Sequence, residues 1–176
     1  CWGGNAYGQL GSGNTDNKSL PNLVSGLTSD NVTSISSGGK HSCALLRNRT
    51  IKCWGSNSFG QLGDNTTKKR LLPVTVTGIS NAIAVSTGDR HNCALLEDKS
   101  IKCWGRNLDG ELGDGTNENP RKIPADVYGV SYGDAVDTGN RLSCALLDNQ
   151  SIVCWGRNDN GQLGDGTTNG SSVPVI

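Results

Sequence analysis

Apolar positions in this chain come in short runs separated by turn-forming residues. Between residues 72 and 104 four such runs follow one another: Leu72 to Thr77, Ile83 to Thr87, Asn92 to Leu96 and Ser100 to Trp104. Each is rich in β-branched or apolar side chains, and glycines such as Gly78 and Gly88 stand between them. Runs of this length and make-up predict short β-strands. Four strands per unit is the content of a propeller blade.

The same unit recurs. Trp-Gly pairs stand at Trp2, Trp54, Trp104 and Trp155, at intervals of 52, 50 and 51 residues. A period near 50 residues belongs to propellers, solenoids or arrays. Each Trp-Gly is followed by a second signature, "NAYGQLGSG" at 5, "NSFGQLGDN" at 57, "NLDGELGDG" at 107 and "NDNGQLGDG" at 158. Paired glycines around one leucine predict a tight loop with backbone at positive φ, from which Leu10, Leu62, Leu112 and Leu163 each plug the core between units. The tryptophans are expected to be core wedges rather than carbohydrate platforms.

Together these signatures resemble the regulator-of-chromosome-condensation repeat family over essentially the whole chain, through "GGKHSCALL", "CWGSNSFGQLGD" and their copies. The resemblance implies a seven-bladed β-propeller. The expected fold is therefore all-β: blades of four antiparallel strands, about 51 residues per repeat, three complete blades and partial blades at both ends. Full blades are expected at 21–55, 71–105 and 121–156, with 1–20 ending a preceding blade and 173–176 supplying the first strand of a fourth. Residues 1–176 then form a single array, expected to belong to a larger propeller or repeat chain.

Composition narrows the function classes. The 176 residues hold 25 Gly, a single Phe and no Met, and only 34% are hydrophobic, which favours short strands and turns over helical packing. Sixteen basic and sixteen acidic side chains cancel. That removes the electrostatic footprint of a protein that grips nucleic acid or an anionic membrane, and no apolar run reaches membrane-spanning length.

The motif "CALLRNRTIKCWG" returns as "CALLEDKSIKCWG" and "CALLDNQSIVCWG". A hairpin centred near Asn48 sets Leu45 opposite Ile51 and Cys43 opposite Cys53. The same register pairs Cys93 with Cys103 and Cys144 with Cys154. Opposed residues on antiparallel strands stand at a separation that a disulfide accepts. The alternative is buried free thiols packed as small hydrophobes, and nine intervening residues suit no usual zinc spacing. Cys1 occupies the position of Cys53, so its partner is expected ten residues upstream. Disulfides imply an oxidising compartment, and six Asn-x-Ser/Thr sequons, at Asn17, Asn31, Asn48, Asn65, Asn149 and Asn169, point the same way.

No catalytic set, metal site or cofactor motif emerges. His41 and His91 hold equivalent positions, the third copy has Leu142 there, and packing or hydrogen bonding is the expected role. Ser42, Asn92 and Ser143 share one repeat position, which speaks against a nucleophile. The acidic "GDG" segments lack the ligand order of a calcium loop, and turn formation accounts for them.

What varies is the loops. The hairpin tips Arg47, Asn48, Arg49 and Glu97, Asp98, Lys99, and the connection bearing Lys68, Lys69 and Arg70, change while the frame around them stays constant. Variable loops on a rigid scaffold are where recognition sits. The expected function is a non-enzymatic extracellular or cell-surface propeller that binds a protein or glycan partner, with no nucleic acid and no membrane insertion. Two alternatives stand beside it. One is a structural subunit of an extracellular filament or sheath, built from further copies of the chain. The other, implied by the resemblance alone, is an exchange-factor-like regulator of a small GTPase.

Overall fold

The computed structural model describes residues 1–28 and 31–176, and in them twelve strands form three four-stranded sheets. The first contains β1 (Val32–Ser37), β2 (His41–Leu46), β3 (Ile51–Gly55) and β4 (Arg70–Thr75). The second contains β5 (Ala82–Thr87), β6 (His91–Leu96), β7 (Ile101–Gly105) and β8 (Arg121–Asp126). The third contains β9 (Gly133–Thr138), β10 (Leu142–Leu147), β11 (Ile152–Gly156) and β12 (Ser171–Val175). Every pairing is antiparallel and in sequence order. The all-β expectation and the hairpin register both hold: Cys43 faces Cys53 and Leu45 faces Ile51, with the same pairing in the other copies.

The phase of the repeat differs from the expected boundaries 21–55, 71–105 and 121–156. The segment at 70–75 is the fourth strand of the preceding sheet, not the first of the next, and 171–175 likewise completes the third sheet instead of opening a fourth. Blades accordingly run 32–75, 82–126 and 133–175. The cause lies at Gly55, Gly105 and Gly156, each at a φ near +110°. This left-handed turn sends the chain out from β3 into a long loop that returns along the free edge of the same strand, pairing Gly55 with Arg70 and Cys53 with Val74. Pro73, Pro124 and Pro174 fall in these fourth strands, a position proline tolerates because nothing on the far side needs its missing N–H.

Sheets stack face to face. Leu45, Ile51 and the Cys43–Cys53 pair meet Ala94, Leu96 and Trp104 of the second sheet, with Leu62 and Val76 between them. Leu95, Ile101 and Cys93–Cys103 meet Ala145, Val153 and Trp155 in the same way, with Leu112 and Val127 between. Leu10, Leu62, Leu112 and Leu163 are all buried, as expected of plugs. So are Trp54, Trp104 and Trp155, whereas Trp2 is 67% exposed and departs from the wedge role. Trp2 sits in a segment where only Gly3 and Lys18 form an isolated bridge, so no complete sheet encloses it.

Three disulfides close the hairpins, Cys43–Cys53, Cys93–Cys103 and Cys144–Cys154, while Cys1 is a free thiol. A ring of about eleven residues contributes roughly 3 kcal/mol in the chain-entropy description. Each loop after β3, β7 or their N-terminal counterpart also covers the outer edge of a neighbouring sheet. Gly13 donates to the Leu71 carbonyl, Asn65 to Lys122 and Gly115 to Ser172, at 3.0, 3.1 and 2.9 Å. Edge carbonyls that could template aggregation are thereby partly occupied.

Candidate functional site

Antiparallel order puts the loops on two opposite ends of the sheets. The β2–β3 tips Arg47–Asn48–Arg49, Glu97–Asp98–Lys99 and 148–150 lie at one end. The β1–β2 turns and the start of β4, with Lys68, Lys69 and Arg70, lie at the other, about 17 Å away along a five-residue strand. The candidate binding loops are therefore divided between two ends of the sheets.

The tip end is a stitched belt. Arg49 and Lys99 accept at their carbonyls from the first residues of the next sheet, Ala82 and Gly133, at 3.0 and 2.8 Å. Their side chains pair with Glu97 and Asp134. These half-exposed pairs contribute little stability; the first links one tip to the next, and the second links a tip to β9. Asn48, Asp98 and Asn149 each accept at Oδ1 from the backbone and hydroxyl of Thr50, Ser100 or Ser151. The following residue, Arg49, Lys99 or Gln150, takes a φ of 65 to 68°, a conformation that glycine adopts without a Cβ penalty. Gln150→Gly is therefore expected to raise stability, by up to about 1 kcal/mol, in chemical denaturation. A loss of stability there would show that the Gln150 side chain is held by its surroundings.

At the opposite end, basic residues missed in the sequence reading line up: Lys40, Arg90 and Arg141 hold one repeat position just before each second strand. Lys40 lies 4.5 Å from the centre of the Tyr7 ring and donates to its hydroxyl at 3.1 Å. This contact holds the Tyr7 phenol below its ordinary pKa. Arg90 lies 5.1 Å from the Phe59 ring, and Arg141 faces the Asp109 carboxylate at 3.8 Å. The recurrence of a positive charge at a fixed repeat position was the signal available in the sequence. Lys68 and Lys69 are exposed nearby in the chain, whereas Arg70 is bound to Asp64 at 2.8 Å.

The buried polar groups belong to the seams between sheets. His41 Nε2 donates to Asn92 Oδ1 at 2.7 Å, and Asn92 donates to the Gln61 carbonyl, which also accepts from Trp104 Nε1 at 3.0 Å. In the next seam His91 donates to Ser143 Oγ at 2.9 Å, and Ser143 and Trp155 Nε1 both donate to the Glu111 carbonyl. Burial lowers the pKa of both histidines, His91 to about 3, and their Nδ1 atoms have no hydrogen-bond partner. They are neutral packing groups, as expected.

Glu111 is fully buried against Arg106, and burial pushes its carboxyl up. Gln9, Gln61 and Gln162 hold the same repeat position. Each accepts at its side chain from the backbone N–H two residues before it, Tyr7, Phe59 and Asn160, as Glu111 does from Asp109. A perturbed carboxylate whose bond is duplicated by three amides is a loop lock.

Asn5, Asn57, Asn107 and Asn158 are further locks that sequence reasoning missed. Asn57 Nδ2 donates to the Thr66 and Lys68 carbonyls while its Oδ1 accepts from Leu62. Asp64, Asp114 and Asp165 accept from Thr66, Thr116 and Thr167, so the acidic segments are turns. Among the described residues no cluster of three or more His, Cys, Asp or Glu could hold a metal. All six sequon asparagines are exposed: Asn31, Asn48 and Asn149 toward the tip end, Asn17, Asn65 and Asn169 in the long loops.

Comparison with known proteins accords with this geometry. A family model for the regulator of chromosome condensation (RCC1) repeat matches residues 1–45, 53–95 and 151–176. A second model of the same description matches 32–61, 82–111 and 134–162. The chain belongs to the RCC1 repeat family. Its RCC1 repeats are 32% identical over 180 residues to human HERC4, a probable E3 ubiquitin-protein ligase, covering 99% of this chain and 17% of that protein. They are 33% identical over 180 residues to human HERC2, an E3 ubiquitin-protein ligase, covering 99% of this chain and 4% of that one. The chain thus spans less than a fifth of the length of these relatives. Among solved RCC1-like folds, Prp20p of Saccharomyces cerevisiae aligns with a TM-score of 0.86 at 24% identity, over 99% of this chain and 44% of its own. Human WBSCR16 aligns at 0.84 and 21%, over 99% and 46%. At these identities the likeness shows the fold.

Proposed function

We propose that this chain is a non-enzymatic propeller scaffold that binds a protein partner through its variable loops, in an extracellular or cell-surface setting. The observation that carries the reading is the stitched belt of hairpin tips. Sequence changes from tip to tip, while backbone bonds and ion pairs hold the first two tips against the next sheet, so their recognition groups are held in place before binding. His41, His91 and Glu111, three buried groups with shifted pKa values, are engaged in seam or loop bonds at positions that recur along the repeat, which supports a frame over a reaction centre. Prp20p is described by its binding to Gsp1p and histones, and this favours a protein over a glycan. Three disulfides support an oxidising compartment, and six exposed sequons accord with it.

The test places a photo-crosslinking residue at Asn48, Asp98 or Gln150, and for comparison at Ile123 on an outer strand, in the protein in its natural setting. Adducts to a single protein are expected from the tips and not from Ile123. Equal labelling at all four positions, or turnover of a substrate by the purified chain, overturns the reading.

A further inference from the structure

The cation–ring pairs at the end opposite the tips border a half-open cavity of about 180 Å³ whose lining includes Tyr7, Lys40, Ser56, Ser58, Phe59 and Arg90. That is room for several waters or for one short side chain. Its walls are held in place. Gln9 and Gln61 fix the backbone of Tyr7 and Phe59, and the Lys40 and Arg90 carbonyls accept from Ser56 and Arg106, both at 2.9 Å. Two positive charges thus meet two aromatic rings and two hydroxyls. Among the described residues one carboxylate pairs with these cations, Asp89 at 3.1 Å from Arg90 Nε, and Arg90 is still 43% exposed.

The third repeat shows what these cations accept. Where Tyr7 and Phe59 stand in the first two positions, the third has Asp109. Its carboxylate is shared by Arg141 at 3.8 Å and Arg106 at 2.6 Å. The chain fills its own third site with a carboxylate and leaves rings in the first two. A ring offers a cation attraction through its face but no charge neutralisation, so Lys40 keeps its capacity for a carboxylate, and Arg90, paired through Nε with Asp89, keeps the remaining donors of its guanidinium.

We propose that the cavity between Lys40 and Arg90 receives a carboxylate side chain of a partner protein, with Tyr7 and Phe59 flanking its aliphatic stem. This rests on the scaffold reading and adds to it a second contact surface with a stated chemistry. Charge-assisted bonds to a positive pair in a partly desolvated cavity are the stronger class of hydrogen bond.

The probe is fluorescein-labelled hexaglutamate, titrated by polarisation onto the disulfide-intact protein, with hexaglutamine as control. The double change Lys40→Gln with Arg90→Gln is expected to weaken binding about tenfold or more. Arg141→Gln is expected to leave it within about twofold, because Arg141 does not line the cavity. Circular dichroism confirms that each variant is folded. Equal binding of hexaglutamine, wild-type affinity in the double variant, or an equal loss in Arg141→Gln overturns the proposal. Displacement by inorganic phosphate as effective as by glutarate overturns the carboxylate assignment. If hexaglutamate fails while crosslinks form at the tips, the scaffold reading stands without this pocket; if both fail, the reading falls with it.

Discussion

Trp104→Ala is expected to lower the stability of the protein by about 3–5 kcal/mol, and Trp2→Ala to change it by less than about 0.5 kcal/mol. The two residues hold one repeat position, so intrinsic propensity cannot separate them. Trp104 has no solvent exposure, fills the seam between the first two sheets beside Leu62 and Leu96, and donates to the Gln61 carbonyl. Its removal leaves a void that the seam cannot close. Gly63, at a φ of +65°, brings its backbone against the indole so closely that an added Cβ would lie 3.0 Å from Nε1. The loop is therefore already at its limit of approach, and relaxation into the space would have to come from strands tied in two sheets. Trp2 is 67% exposed and has no such seam. Chemical denaturation of both variants checks this; equal costs would show that the tryptophan acts locally in its hairpin instead of between sheets.

Acidification is expected to destabilise the protein through His91. Its folded pKa is about 3, against about 6.5 for an unfolded chain. Between these values the unfolded chain carries the proton and the folded one excludes it, so stability falls as pH drops below 6.5, by about 1.4 kcal/mol per pH unit. His41, also lowered, adds in the same direction. Burial is the leading cause for His91, reinforced by the charges of His41 and Arg106. Glu111 titrates in the opposite sense: its raised carboxyl destabilises the ionised form, and protonation relieves this as pH falls. The depressed carboxylates Asp64, Asp98 and Asp165 lose their contribution only below the ordinary carboxylate range. The difference between wild type and His91→Leu isolates the histidine. Leucine is what the third repeat carries at Leu142, and Ser143 would keep its bond to the Glu111 carbonyl. The variant should show a flatter stability profile between pH 6.5 and about 4.5. An unchanged slope would place the acid sensitivity elsewhere.

Much of the fold was legible because its devices are local and repeated. The cysteine interval determined the hairpin register, since strand pairing about Asn48 allows Cys43 only one partner, and the structure has that partner. The paired glycines announced the left-handed loop, and Leu62 and Leu112 could be placed in the core from their position between them. The phase of the blade was not legible. Segment 70–75 lies between two hairpins, and either could take it as a fourth strand. Only the course of the loop after Gly55 decides between them. Trp2 was likewise assigned by analogy with its copies, which could not reveal what surrounds it.

The division of surfaces has the same origin. Lys68, Lys69 and Arg70 were grouped with the hairpin tips because all are variable and polar, but variability says nothing about which end of a strand a loop occupies. Lys40, Arg90 and Arg141 were passed over because each is a lone charge in its own stretch. They form a row only when adjacent sheets bring residues some fifty positions apart to neighbouring sites, and Tyr7, Phe59 and Asp109 become their partners across the same seams.

By itself the sequence determined strand content, hairpin register and the cysteine pairs, because these depend on interactions within about a dozen residues, and the period, because the same local motifs recur. Tertiary structure decided which hairpin each fourth strand joins, which tryptophan is enclosed, and which charges share a surface. The first depends on the course of the loop after Gly55, and the other two on contacts between sheets whose geometry no single repeat contains.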